Sequence, residues 1–249
     1  MSIEYAAAGG IARITLNRPD KRNAITSEMM SALRDTLNRA ADDPAVRVLL
    51  IRGAGKDFCA GLDLSEVLKS AESAAVSLAS ARRLGDLYIA MRRHPKPIIA
   101  AVQGRALGGG AGIATASDLI VAAESAQFGY PEVKLGFIPA IVATMLRRAV
   151  NERQAMELAL TGEPLSASRA YAIGLINRVY PDAEFDAEVE RYVTKLAEQS
   201  ATAMSLSKRL LYETDGMSFE ASIEAGVQAN VQVRTTDDFK RGVERFLKK

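Results

Sequence analysis

Pro97-Ile98-Ile99-Ala100-Ala101-Val102-Gln103-Gly104 runs directly into Arg105-Ala106-Leu107-Gly108-Gly109-Gly110-Ala111-Gly112. The first part reads as a buried apolar strand, and the second as a glycine-rich turn entering a short helix over 108–116. A stretch of the same kind lies upstream. Val46-Arg47-Val48-Leu49-Leu50-Ile51-Arg52-Gly53 is a nearly continuous apolar strand, followed by Phe58-Cys59-Ala60-Gly61-Leu62-Asp63-Leu64, where small residues again stand beside a helix start. The first N–H groups of a helix have no acceptor inside it and sit at its positive end. Either turn alone would only permit tight backbone geometry. Two together supply a pair of bare donors, which is what holding the oxygen of an enolate or tetrahedral intermediate requires.

Outward from these turns the pattern alternates strands and helices. Residues 11–16 alternate in strand fashion, and Ser27 to Ala41 sets Met30, Leu33 and Leu37 at helical spacing. A long helix is expected over 73–93 with Leu78, Leu84, Leu87 and Met91 near one face, and 119–123 reads as a further strand. This is an α/β pattern with mostly parallel strands. After about Glu132 the chain turns helical, with helices expected over 139–149, 151–160, 167–173, 183–199, 202–214, 218–231 and 236–247. Gly162 and Gly174 punctuate helix ends and Ser166 is placed to cap the helix before Tyr171. Met29, Met30, Met145 and Met156 read as core fillers. No internal repeat or low-complexity segment is visible.

Composition bounds the chemistry. The chain has 249 residues, 48% of them hydrophobic, enough for a full core. A net charge of +2, from 32 basic and 30 acidic residues, gives no field that points to nucleic acid. The single cysteine, Cys59, allows no internal disulfide and fits a reducing compartment. The single histidine, His94, reads as an exposed loop residue between Arg93 and Pro95, so neither a Cys/His metal site nor a Ser-His-Asp or Cys-His system is expected. No apolar run reaches the ~20 residues that cross a bilayer, and no leader pattern opens the sequence. A cytoplasmic enzyme without membrane partner, metal or permanently bound cofactor is expected.

Four blocks in order resemble the crotonase family, also called the enoyl-CoA hydratase/isomerase family. They are Ile11-Ala12-Arg13-Ile14-Thr15-Leu16-Asn17-Arg18-Pro19 with Lys21-Arg22-Asn23-Ala24-Ile25, the 46–64 stretch, the 97–112 stretch, and Ala126-Gln127-Phe128-Gly129-Tyr130-Pro131-Glu132-Val133-Lys134-Leu135-Gly136. The resemblance implies an α/β, crotonase-like spiral of β-β-α turns (1–195), followed by a C-terminal helical trimerisation region (196–249) in a homotrimer or dimer of trimers. It implies an acyl-CoA thioester as substrate, with coenzyme A as part of that substrate. The implied oxyanion donors are the N–H groups of Ala60 and Gly109, and the implied proton-moving group is the carboxylate of Glu132. Phe128, Val133 and Phe137 are the apolar neighbours expected to raise its pKa. Arg22, Ala24, Gly61, Leu62, Asp63 and Leu64 are implied to line the substrate site with Ala60 and Gly109, and Arg18 and Lys21 belong to the same basic block. Lys240, Arg241, Arg245, Lys248 and Lys249 form a basic C-terminal segment that in relatives reaches a neighbour's CoA.

The chain departs from two-glutamate hydratases at Gly112, where those carry a second glutamate, and at Ile138-Pro139-Ala140-Ile141-Val142-Ala143, which is bulkier than their glycine-rich segment. These features resemble a bacterial hydratase subgroup for branched or glutaconyl-type thioesters, and equally resemble monofunctional isomerases. Ala140 stands where dienoyl isomerases keep a second acid. Tyr130, Asp118 and Glu66 are candidates to hold a water in place of the missing carboxylate. The leading expectation is an enoyl-CoA hydratase. The alternatives are a Δ3,Δ2-enoyl-CoA isomerase, which needs one carboxylate, and a non-catalytic acyl-CoA-binding protein of the same fold.

Overall fold

The computed structural model describes residues 1–248. Along the chain the elements are β1 (Ile3–Ala8), β2 (Ile11–Leu16), α1 (Ser27–Asp42), β3 (Val48–Gly53), α2 (Leu64–Ser70), α3 (Ala74–Arg93), β4 (Ile98–Val102), β5 (Arg105–Leu107), α4 (Gly109–Ala116), β6 (Leu119–Ala123) and β7 (Gln127–Gly129). There follow α5 (Val142–Ala149), α6 (Glu152–Thr161), β8 (Leu165–Ser166), α7 (Ala167–Ala172), β9 (Arg178–Tyr180), α8 (Phe185–Ala197), α9 (Ala201–Glu213), α10 (Phe219–Arg234) and α11 (Asp237–Leu247).

Two sheets organise these pieces. The larger has the order β1-β2-β3-β4-β6-β9, and the smaller β5-β7-β8. Only β1 and β2 pair antiparallel in the large sheet, joined by a hairpin whose Gly9 and Gly10 both have positive φ. The pairs from β2 through to β9 are parallel, which forces a crossover after each strand. Each crossover steps first through the small sheet: Cys59 bridges to Ala106 of β5, and β5 pairs with β7. A turn of the chain is therefore a strand of the large sheet, a short strand or bridge of the small one, then helix. The strands of the large sheet are apolar on both faces because helices or the small sheet cover both: Val48 to Ile51 and Ile98 to Val102 are fully buried.

Local chemistry sets the helix boundaries. Thr26 caps α1 by accepting from the Met29 N–H, Asn151 and Gln154 form a reciprocal capping box on α6, and Ser166 accepts from the Arg169 N–H at the start of α7. Gly162 ends α6 in the left-handed conformation.

Several expectations change. His94 is not a surface loop residue. It is buried, with Nε2 donating to the Leu37 carbonyl at 3.1 Å and Nδ1 accepting from the Lys96 N–H at 3.1 Å. The chain must turn sharply from α3 into β4 there, and the ring joins that turn to α1; burial lowers its pKa and keeps it neutral. Leu78 and Met156 are exposed, whereas Leu84, Leu87, Met91, Met29, Met30 and Met145 are in the core. The buried face of α3 begins only at Leu84. The start of α2 is marked by the turn before Leu64 but its extent is not, and the short strands β5, β7, β8 and β9 are not marked, because elements of two to seven residues show too little periodicity. Lys249 lies outside the described residues.

Asn23 ties the first loop to the rest. It is fully buried with φ 57°. Its Oδ1 accepts from the Arg18 N–H at 2.8 Å, and its Nδ2 donates to the carbonyls of Ala54 at 2.9 Å and Asp57 at 2.8 Å. Asn23→Ala leaves three buried partners unmatched at a left-handed residue, and is expected to lower unfolding free energy by about 3 kcal/mol in a denaturant titration.

Candidate active site

The site begins where the small sheet stops. Ile25 and Leu62 form an isolated parallel bridge, with the Ile25 N–H donating to the Gly61 carbonyl at 2.8 Å and the Asp63 N–H to the Ile25 carbonyl at 2.9 Å. In such a ladder the intervening N–H, that of Leu62, faces the other way. Among the described residues it has no acceptor, and the same holds for the N–H of Gly109, the first residue of α4. The two residues touch: a Cβ on Gly109 would stand 3.3 Å from Leu62 Cγ, and one on Gly61 3.8 Å from the Gly109 nitrogen.

Ala60 differs from the expectation. Its N–H donates to the Arg22 carbonyl at 2.9 Å, and a backbone N–H has one hydrogen to give. The free amide in this turn belongs to Leu62, two residues on. Nothing in residue type distinguishes them; which amide remains unpaired depends on the bridge to Ile25, a contact 37 positions away in sequence that spacing does not reveal.

Glu132 stands opposite. Pro131 opens a 3-10 turn over Pro131–Leu135, and Gly136, at φ 68°, closes it. This turn aims the Glu132 carboxylate at Gly108, where a Cβ would lie 3.0 Å from Oε1. Gly108 has φ 49° and ψ −120°, so glycine is needed there twice over, for the backbone and for the carboxylate beside it. Oε2 is buried with no hydrogen-bond partner among the described residues. Burial raises the pKa of the carboxyl, and its own backbone N–H offsets this in part. Of the neighbours expected to desolvate it, Phe128 is fully buried, Val133 is turned outward by the 3-10 turn, and Phe137 is half-exposed but lines the cavity with Glu132.

Leu62, Gly109 and Glu132 line one cavity of about 280 Å³, closed on its other sides by Val67, Leu84 and the 137–142 segment. Glu132 is its only charged side chain. The position of the missing second carboxylate is filled. A Cβ on Gly112 would clash with the Tyr88 hydroxyl and lie 2.5 Å from Val142 Cγ1. Two of the three candidates to replace it are occupied elsewhere. Asp118 binds Lys208 Nζ at 2.7 Å and the Tyr212 hydroxyl at 2.8 Å, and Glu66 accepts from the Ser27 N–H at 2.8 Å. Tyr130 is fully buried and does not line the cavity.

The basic block lies on the near side of the same loops. Lys21 and Arg22 are exposed, whereas Arg18 is held by the Ala24 carbonyl at 2.5 Å and Asp63 at 3.1 Å. Asp63 also caps α2 through the Ser65 N–H, and Leu64 is exposed beside it. The Arg18–Asp63 pair thus joins the loop at 18–25 to the turn that carries Leu62. Among the described residues no group of acidic, histidine or cysteine side chains is arranged to hold a metal ion, and no helix is long and apolar enough to cross a membrane.

Comparison with known proteins establishes the family. A Thermus thermophilus protein provisionally named an enoyl-CoA hydratase is 38% identical over 242 residues, covering 97% of this chain and 96% of its own. The 2,3-dehydroadipyl-CoA hydratase of Escherichia coli is 33% identical, over 95% of this chain and 91% of its own. The crystal structure of a Mycobacterium smegmatis enoyl-CoA hydratase superposes with a TM-score of 0.96 at 30% identity, covering 100% of this chain and 96% of that one. The pattern described as enoyl-CoA hydratase/isomerase matches residues 6–249, and the chain belongs to that family, with its crotonase fold.

Proposed function

We propose that this protein is an enoyl-CoA hydratase, adding water across a 2-enoyl-CoA to give the 3-hydroxyacyl-CoA. The observation that carries the reading is the meeting of an unpartnered, desolvated carboxylate with two unpartnered amides in one apolar cavity. In this reading the thioester oxygen accepts from the N–H groups of Leu62 and Gly109, in place of the Ala60 and Gly109 pair. As water adds to C3, Glu132 takes its proton; the electrons move into the thioester enolate, and Glu132 returns the proton to C2. One carboxylate closes the cycle unchanged. Arg22 and Lys21 face outward where the CoA phosphates are to lie. The acyl chain is neutral: with Glu132 the sole charge on the cavity wall, a distal carboxylate would be both desolvated and repelled, which disfavours glutaconyl-type substrates.

A second reading rests on the Tyr88 and Val142 side chains that close the space beside Gly112. With no second acid-base group, the same carboxylate can carry a proton from C4 of a 3-enoyl-CoA to C2, as an isomerase. Crotonyl-CoA and 3-hexenoyl-CoA, each followed by absorbance of the conjugated thioester, separate the two. Loss with the first is the expected result; gain with the second and none with the first would make the protein an isomerase. Glu132→Gln is expected to cut kcat by roughly 10²–10⁴-fold on the active substrate with little change in KM.

The raised pKa gives this variant a second signature. A folded-state pKa above the unfolded value means that the native state loses stability as pH rises between the two, so ionised Glu132 destabilises the fold at neutral pH. Glu132→Gln should therefore match or exceed the parent in Tm at pH 7. In the parent, kcat/KM should fall on acidification through a pKa above the ordinary glutamate value, because the base must be ionised to accept the proton of water.

We further propose that the protein assembles as a trimer or a dimer of trimers through the region after residue 195. Neither α10 nor α11 buries a residue within the chain, and Phe219, Ile223, Val227 and Val231 make an exposed apolar stripe along α10. Light scattering should report at least three chains per particle, and Val227→Asp should reduce that number.

A further inference from the structure

Behind the cavity wall, one fully buried polar side chain reaches the glycine turn. Tyr88 of α3 is 1% exposed, and its hydroxyl donates to the Gly109 carbonyl at 2.8 Å. Among the described residues this is the only side-chain hydrogen bond that Gly108, Gly109 and Gly110 receive. Three consecutive glycines have more backbone freedom than any other triplet, and a donor for a developing negative charge contributes only if its direction is already set. On one side the Gly108 N–H is held by the Gly129 carbonyl at 2.9 Å. On the other, the peptide after Gly109 is tied to the scaffold through Tyr88.

The partner position is matched to this contact. Residue 112 is glycine where any Cβ would displace the Tyr88 hydroxyl. A phenylalanine at 88 would fill nearly the same volume without burying a polar oxygen, so packing alone gives no reason for the hydroxyl.

We propose that Tyr88 is a positioning residue, whose hydroxyl anchors the Gly109 carbonyl and, together with the Gly112 N–H that holds the Gly108 carbonyl at 2.9 Å, fixes the direction of the Gly109 N–H toward the substrate oxygen. The proposal rests on the reading of Gly109 as an oxyanion donor. Polarisation of the bound thioester tests both separately, by the ¹³C resonance of [1-¹³C]butyryl-CoA on the protein. In the parent the carbonyl should move downfield on binding; a resonance at the free position would overturn the donor reading and this proposal with it. In Tyr88→Phe that displacement should shrink, and kcat should fall about tenfold with KM within about twofold, since the interaction is made chiefly in the transition state. Gly112→Ala, which pushes the hydroxyl off its acceptor, should reproduce both changes. A polarised parent with an equally polarised, fully active Tyr88→Phe would overturn the role of Tyr88 alone. Failure of Tyr88→Phe to fold would make the hydroxyl a packing requirement and overturn it too.

Discussion

Two amides are left without acceptors because β5 ends one residue before Gly108 and the upstream segment bends at Gly61, and the proposed site depends on where these two stretches leave the small sheet. The Leu62 amide is turned away from the Ile25 ladder and the Gly109 amide follows the end of β5, so neither is spent on a neighbouring strand. Buried amides without acceptors are costly, and proteins seldom leave two side by side. Here the positive φ of Gly61 and Gly108 turns the chain out of the sheet. The same turns bring α2 and α4 to their starts, so each sharp bend ends a strand, opens a helix and frees an N–H at once.

The carboxylate has the complementary problem. Glu132 carries an oxygen that nothing among the described residues satisfies, in a cavity whose walls are mostly apolar. Stability would be served by an amide or an apolar side chain, so the charge is retained against the interest of the fold. The two deficits match: bare donors lack an anion, and a bare base lacks a proton. A 2-enoyl thioester and the water that adds to it supply the two, the enolate oxygen for the donors and the water proton for the base, which ties the proposed chemistry to groups the fold leaves unsatisfied.

Much of this was legible in the sequence, for reasons specific to each element. The strands β3 and β4 are apolar on both faces because parallel strands are covered on both, so they read as continuous runs. The long helices α1 and α3 were visible from spacing, and Gly108 to Gly110 announced a helix start. Glu132 was legible only through the family resemblance of the residues around it, since one carboxylate among 30 acidic residues carries no mark of its own. What was not legible depends on contacts distant in sequence. Ala60 and Leu62 are equally small-turn neighbours until Ile25 and Arg22 choose between their amides. His94 looks like a connection residue until Leu37 is placed beside it. Tyr88 shares a helix face with Leu84 and Met91, so its hydroxyl could have been noticed as the polar atom on an apolar stripe, but its acceptor lies 21 residues away on another element.

Residue 112 shows how these constraints interlock. Placing a glutamate there is not a change at one position, because its Cβ meets Tyr88 and Val142 before the carboxylate has anywhere to go. Room for it would require a smaller residue at 88, which removes the hydrogen bond to Gly109, and a smaller one at 142, at the start of α5, which opens the cavity wall. A second acid and a Tyr88-anchored glycine turn are therefore alternative solutions for the same volume. This chain holds the second, and the single-carboxylate chemistry proposed for it follows from how that space is packed.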